Sequence, residues 1–227
     1  MPDVEPKAIR RGRRARATPS AVAGARLGRR QALWAAATLL AAPGGPARAD
    51  AGPVRVRIHT LELEGRPLGE GPWLDAQWAE VSRLFGEAGV ALERLPVRTT
   101  AVGRPDVVSR ADRDAFAAGL EPGVVNVFVI GSLADVDEPG RMRKGVHWRP
   151  SGRADLHYVL LIGSSPRGVL AHELGHFFGL AHSGVRDNLM SYARSEGGTL
   201  FLDRGQRARV LASARASVAS GELGPGH

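Results

Sequence analysis

Apolar residues recur along this chain with two periods, and the change from one to the other marks out its elements. Val54, Val56 and Ile58 alternate with Arg55, Arg57 and His59, the two-residue period of a strand with one polar face. Over residues 73–89 the spacing widens. Leu74, Trp78, Val81, Phe85 and Ala88 fall on one stripe of an amphipathic helix that Gly89 closes. Residues 90–97 read as a second strand, and residues 106–120 contain a short polar helix that ends near Glu121-Pro122-Gly123. Two later runs, 124–130 (VVNVFVI) and 156–162 (LHYVLLI), are apolar with little alternation. Strands covered on both faces have that character, so these two are the expected centre of a sheet. Ser165 and Pro166 offer an N-cap and a first-turn proline to a helix through His172 and His176. A last helix is expected over 203–220, with Val210, Leu211, Ala214 and Val218 inward and Gly221 at its end.

Composition divides the chain in two. Ten of its 31 Lys and Arg and two of its 23 Asp and Glu precede Asp50, so the whole net charge of +8 lies in that leader and the remainder is formally neutral. The high pI therefore carries no inference of nucleic-acid binding. Gly28-Arg29-Arg30-Gln31-Ala32-Leu33 is a twin-arginine core, followed by a short apolar run from Ala32 to Ala42, a Pro43-Gly44-Gly45-Pro46 break and a small-x-small site at Ala47-Arg48-Ala49. Residues 1–49 are thus expected to be a twin-arginine-type signal peptide of a bacterial protein that is periplasmic or secreted. The apolar run is too short to span a bilayer, so no stable membrane anchor is expected after cleavage. Cysteine is absent, which excludes disulfides, a lipid anchor on cysteine and any latency in which a thiolate caps a metal. Residues 50–227 have the length of one domain, and a monomer is expected.

The candidate chemistry lies in His172-Glu173-Leu174-Gly175-His176-Phe177-Phe178-Gly179-Leu180-Ala181-His182. Histidines four apart on a helix lie on one face a turn apart, so His172 and His176 can reach one ion. Glu173 sits one residue round from that face, where a carboxylate can hold and deprotonate a water without being a ligand. Gly179 can end the helix in a left-handed residue, letting His182 fold back as a third ligand. Without that turn His182 would stand about 100° away from the other two.

This pattern resembles that of the metzincin clan of zinc metallopeptidases, HExxHxxGxxH followed by a methionine-containing turn. Asn188-Leu189-Met190-Ser191-Tyr192 places Met190 eight residues after His182, where the clan's Met-turn would lie beneath the metal. Ser183 and the eight-residue step look like the matrixins, whereas Met-Ser-Tyr looks like the serralysins and astacins. In the latter families the tyrosine helps to stabilise the oxyanion, a role that would fall to Tyr192. The resemblance implies an α+β zincin fold over residues 50–227, with a twisted mixed sheet of about five strands, an active-site helix, the Met-turn and a C-terminal helix. It also implies an antiparallel edge strand above the cleft, for which Gly145, Val146, His147 and Trp148 are the candidates, and whose free backbone groups can pair with an extended peptide.

The expected function is zinc-dependent endopeptidase action on a peptide or protein substrate. One catalytic zinc ion would be held by His172, His176 and His182, with Glu173 as the base and Gly179 and Met190 as structural residues of the site. Residues 184–187 and the segment after Tyr192 are expected to border the substrate pocket. His147 and His157 are expected to be satisfied polar residues of strands, His59 a strand-surface residue and His227 a frayed terminus. Two rival readings use the same residues. One is an exported zinc hydrolase of peptidoglycan or another amide, and the other a non-catalytic, zinc-stabilised peptide-binding module.

Overall fold

Parallel strands covered on both faces need apolar side chains in both directions, and the two central strands have them. The computed structural model describes residues 52–69, 71–153 and 155–224. The expected leader and His227 lie outside these. In chain order the elements are β1 Val54–Thr60, β2 Glu62–Leu63, β3 Arg66–Pro67, α1 Pro72–Glu87, β4 Leu92–Arg94, β5 Arg98–Thr99, β6 Asp106–Val107, α2 Arg110–Asp114 and a 3-10 turn Ala115–Gly119. There follow β7 Val125–Ile130, β8 Ser132–Leu133, β9 Gly145–Trp148, β10 Tyr158–Ile162, α3 Val169–Phe177 and α4 Arg204–Ser220. The main sheet runs β4-β1-β7-β10-β9, with β5 also paired to β1. Its pairings are parallel except at the edge, where β9 runs antiparallel to β10 with His147 opposite Val159. This is a mixed α+β fold with a mostly parallel sheet and, among the described residues, four α-helices.

The larger core fills one face of the sheet. Val56, Ile58, Val127 and Leu161 meet Val81 and Phe85 of α1, Leu170 and Leu174 of α3, and Val210 of α4. A smaller core on the other face gathers Phe116, Phe128, Trp148, Tyr158 and Leu160. All residues of β7 and β10 are buried, as expected for strands between two cores.

Four expectations change. The polar face of β1 is not on the surface: Arg57 and His59 are buried. Arg57 binds Glu121 at 3.1 Å, and His59 stacks on Phe128 with its Nε2 3.0 Å from Asn126 Oδ1. The expected 90–97 strand shortens to β4, and β5 starts only at Arg98, beyond Pro96, which has no N–H for the ladder. Residues 106–107 pair with β8 as a strand, and the helix begins only after Ser109, which forms a capping box with Asp112. Finally, α3 starts at Val169 rather than after Ser165. The Ser165 hydroxyl donates to the Ile162 carbonyl at 2.7 Å, and Gly168, at φ 90°, turns the chain into the helix. The last helix ends as expected at a left-handed Gly221, and the structure adds an Asp203–Gln206 capping box at its start.

Candidate metal centre and cleft

α3 is short, and its start has no cap of its own. Its orphan Leu170 N–H is accepted by Gln77 Oε1 at 3.2 Å, while Gln77 Nε2 donates to the carbonyls of Ser165 and Pro166 at 3.0 and 2.8 Å. A buried side chain of α1 therefore seats the helix that carries His172, Glu173 and His176. At the other end Gly179 has φ 82°, and the N–H groups of Gly179 and Leu180 close on the carbonyls of His176 and Gly175. The chain then turns back and brings His182 to His176, with the two Nε2 atoms 3.1 Å apart.

The ligand nitrogens of His172, His176 and His182 lie within 4.8 Å of one another. Backbone carbonyls set two of the tautomers. His172 Nδ1 donates to Leu189 O and His176 Nδ1 to Leu180 O, both at 2.8 Å. Each ring therefore presents an unprotonated Nε2 to the common point. Burial favours these neutral forms and pushes His172 down to about 4. Three imidazoles with converging lone pairs suit a zinc ion, and two Nε2 acceptors facing each other at 3.1 Å need a cation between them or a proton on one. The Tyr192 hydroxyl lies 2.9 Å from His182 Nε2, on the same lone pair that a metal would take. Tyr192 is itself 66% exposed.

Glu173 is buried beside the triad. Its Oε2 accepts the His147 N–H at 2.9 Å. Desolvation raises its pKa to about 7, opposed by that hydrogen bond and by the charge of Arg143. Gly145 makes this approach possible, because a Cβ there would stand 2.8 Å from Glu173 Cγ and 3.1 Å from Oε1. The Lys144 carbonyl accepts the Ile162 N–H of β10. By antiparallel alternation the backbone groups of Gly145 and His147 then face the free edge.

Met190 is fully buried under α3. A Cβ on Gly175 would come within 2.5 Å of its Sδ. The turn is tied on three sides. The Ser183 N–H donates to Met190 O at 2.9 Å, Asn188 Oδ1 accepts the Met190 N–H at 2.9 Å, and Asn188 exchanges two hydrogen bonds with Gln206 of α4. The Arg194 guanidinium donates to Leu189 O, the carbonyl that also orients His172, at 2.9 Å.

A cleft of about 750 Å³ opens over the triad. Gly145, Val146, His147, Glu173, the three histidines and Tyr192 line it. Trp148 does not line it and turns to the smaller core, where its Nε1 donates to Asp114 at 2.7 Å. Residues 184–187 also stand outside, because Asp187 turns away to accept the Ser195 N–H and hydroxyl at 2.6 and 2.7 Å. The segment after Tyr192 does border the cleft, through Arg194, Ser195, Gly197 and Gly198, and the 141–144 and 166–168 segments stand where 184–187 were expected. His147 and His157 are satisfied by each other, Nε2 to Nδ1 at 2.8 Å, and His157 binds Glu222 on its far side. Sequence reasoning missed Gln77, Asn188, Gln206 and Arg194. Only the Asp203-to-Gln206 spacing carried a local signal, and it reported the helix cap rather than the Met190 turn.

With this arrangement the chain is similar to metalloproteinase-II from Bacteroides fragilis, at a TM-score of 0.53 and 15% sequence identity over 74% of this chain and 55% of that one. The likeness is one of fold. The chain thus spans about half the length of that protein. Archaemetzincin from Methanopyrus kandleri aligns over 75% of this chain and 99% of its own, at 16% identity and a TM-score of 0.49. No protein-family model matches the chain, and no curated protein does.

Proposed function

We propose that this chain is a zinc-dependent endopeptidase of metzincin type, with one ion held by His172, His176 and His182 and with Glu173 as general base. The observation that carries the reading is the pairing of three converging imidazoles with a buried carboxylate held against an edge strand by the His147 N–H. When bound, zinc supplies Lewis-acid polarisation of the peptide carbonyl and a lowered pKa for water in the site.

The chain's own residues do the rest. The free edge of β9 aligns an extended peptide through the N–H and carbonyl of Gly145 and the carbonyl of His147, whose N–H is held by Glu173. Glu173, shifted towards neutrality, takes a proton from the attacking water and returns it to the leaving nitrogen. Tyr192, on an exposed turn, leaves His182 and offers its hydroxyl to the developing oxyanion. The carbonyls of Leu189 and Leu180 keep the His172 and His176 rings in their acceptor tautomers throughout. The twin-arginine pattern at Arg29-Arg30 supports a site of action outside the cytoplasm.

The test is a comparison of the protein with Glu173→Gln on a diverse peptide library, reading new termini by mass spectrometry and zinc content by elemental analysis. Glutamine still accepts the His147 N–H, so zinc is retained while cleavage falls by about 10²-fold or more. Glu173→Gln cleaving at the wild-type rate would remove the general base from the mechanism. His182→Ala is expected to lose zinc, and unchanged occupancy would exclude His182 as a ligand.

A further inference from the structure

One end of the cleft is lined by cations. Residues 52–224 follow a leader that carries the whole net charge of the chain, yet Arg141, Arg143, Lys144, Arg167 and Arg194 all line the cleft. Among the described residues lining it, Glu173 is the only acid. Three of the cations are paired from behind: Arg141 to Glu138 at 2.7 Å, Arg143 to Asp135 at 2.6 Å and Arg167 to Glu80 at 3.3 Å. Lys144 and Arg194 form no ion pair within 4.0 Å among the described residues, although the Asp187 carboxylate is near enough to Arg194 to act on its charge, and none of the paired carboxylates lines the cleft.

The position of these charges gives them a direction. Val169 at the start of α3 lies against Gly145, and Phe177 at its end lies 5.7 Å from the His147 ring. The helix and β9 therefore run the same way, with Arg141 to Lys144 and Arg167 together at the Gly145 end. Leu200 lies against Gly168, so the loop bearing Arg194 forms the opposite wall of that same end. A peptide laid antiparallel on β9, the better-bonded orientation, has its chain direction reversed relative to the strand. Residues C-terminal to the bond over Glu173 then lie at the Lys144 end, between the cations.

We infer that the cleft selects peptides with acidic side chains, or a nearby terminal carboxylate, on the C-terminal side of the cleaved bond, and that Lys144 and Arg194 read that charge. The inference rests on the peptidase reading for its polarity, but the charge preference itself does not depend on turnover. Arg194 is the better placed of the two. Two carbonyls, of Asn188 and Leu189, hold its guanidinium, and an arginine fork still has donors to offer a carboxylate. Lys144, exposed at the end of a four-carbon stem, adds a point charge that steers.

The experiment uses the full chain loaded with zinc and two pools of decapeptides. Both pools are random over the first five positions and carry either three Glu or three Gln among the last five. Cleavage of the Glu pool about tenfold faster at low salt, falling to near parity in 0.5 M NaCl, is the expected result. Lys144→Gln, at an exposed site, should shrink the Glu-to-Gln ratio several-fold, and Arg194→Lys should shrink it without removing the charge if the fork matters. Equal rates for the two pools, or faster Gln cleavage, would overturn the inference. If neither pool is cleaved, the peptidase reading has failed, and fluorescence anisotropy of the labelled pools on Glu173→Gln decides the charge preference alone. Tighter, salt-sensitive binding of the Glu pool keeps it, and equal binding ends it.

Discussion

Gly175 stands between the two helical histidines, and replacing it with alanine sets two known effects against each other. In a helix interior alanine is favoured over glycine by about 0.5–1 kcal/mol. Here, however, the new Cβ would stand 2.5 Å from Met190 Sδ, 3.3 Å from its Cε and 3.5 Å from Leu180 Cδ1. Ordinary carbon contacts lie at roughly 3.5–4.0 Å, so Met190 must move, and it is fully buried. Overpacking of this kind costs about 1–3 kcal/mol. The steric term is the larger, leaving Gly175→Ala destabilised by up to about 2.5 kcal/mol, a fall of as much as roughly 10 °C in Tm for a domain of this size. The assay is urea and thermal denaturation of the zinc-free protein in a double-mutant cycle with Met190→Ala. Met190→Ala alone should cost about 2–5 kcal/mol. In the double mutant the alanine methyl occupies part of the space vacated, so the two costs should fall short of their sum by at least about 1 kcal/mol. A Gly175→Ala protein more stable than wild type, or costs additive to within about 0.5 kcal/mol, would refute the argument that the methionine turn is seated by this glycine.

Three further outcomes are expected. Gly145→Ala pushes its Cβ onto Glu173, so kcat should fall by about 10²-fold with zinc content unchanged, as a misplacement near 1 Å does; activity within twofold of wild type would refute it. Gln77→Ala leaves the Leu170 N–H and the Ser165 and Pro166 carbonyls without their partner, which should cost about 1–3 kcal/mol in denaturant unfolding and weaken zinc binding in competition with a chelator. Burial, with the charges of His157, Arg149 and His176, holds His147 down at about 3. Because its folded pKa lies below its unfolded value of about 6.5, its contribution to stability is complete above that pH and is lost as pH falls, by about 1.4 kcal/mol per pH unit. Urea unfolding of the zinc-free protein between pH 7 and 5 should therefore show a shallower pH slope in His147→Gln than in wild type, and identical slopes would remove His147 from the account.

What the sequence by itself determined is what neighbours along the chain decide. Histidines four apart share a helix face whatever the helix rests on, and Gly179 was legible as the left-handed stop because few other residues take that φ. The capping box at Asp203 and the close at Gly221 depend on residues within a turn of each other. The strands over 124–130 and 156–162 declared themselves by being apolar in both directions. The start of α3 was misread because its cap comes from Gln77, 93 residues before Leu170, and no local signal can carry such a contact. His59 and Arg57 looked exposed for the same reason: the face they line is covered by Glu121, Asn126 and Phe128 from elsewhere in the chain. Tertiary structure alone set Glu173 against the His147 N–H, turned Trp148 away from the cleft and gathered cations from three separate segments at one end of it. Side-chain periodicity fixes which residues share an element and a face, whereas burial and electrostatics at the site depend on which elements fold together. That choice is made by contacts between residues distant in sequence.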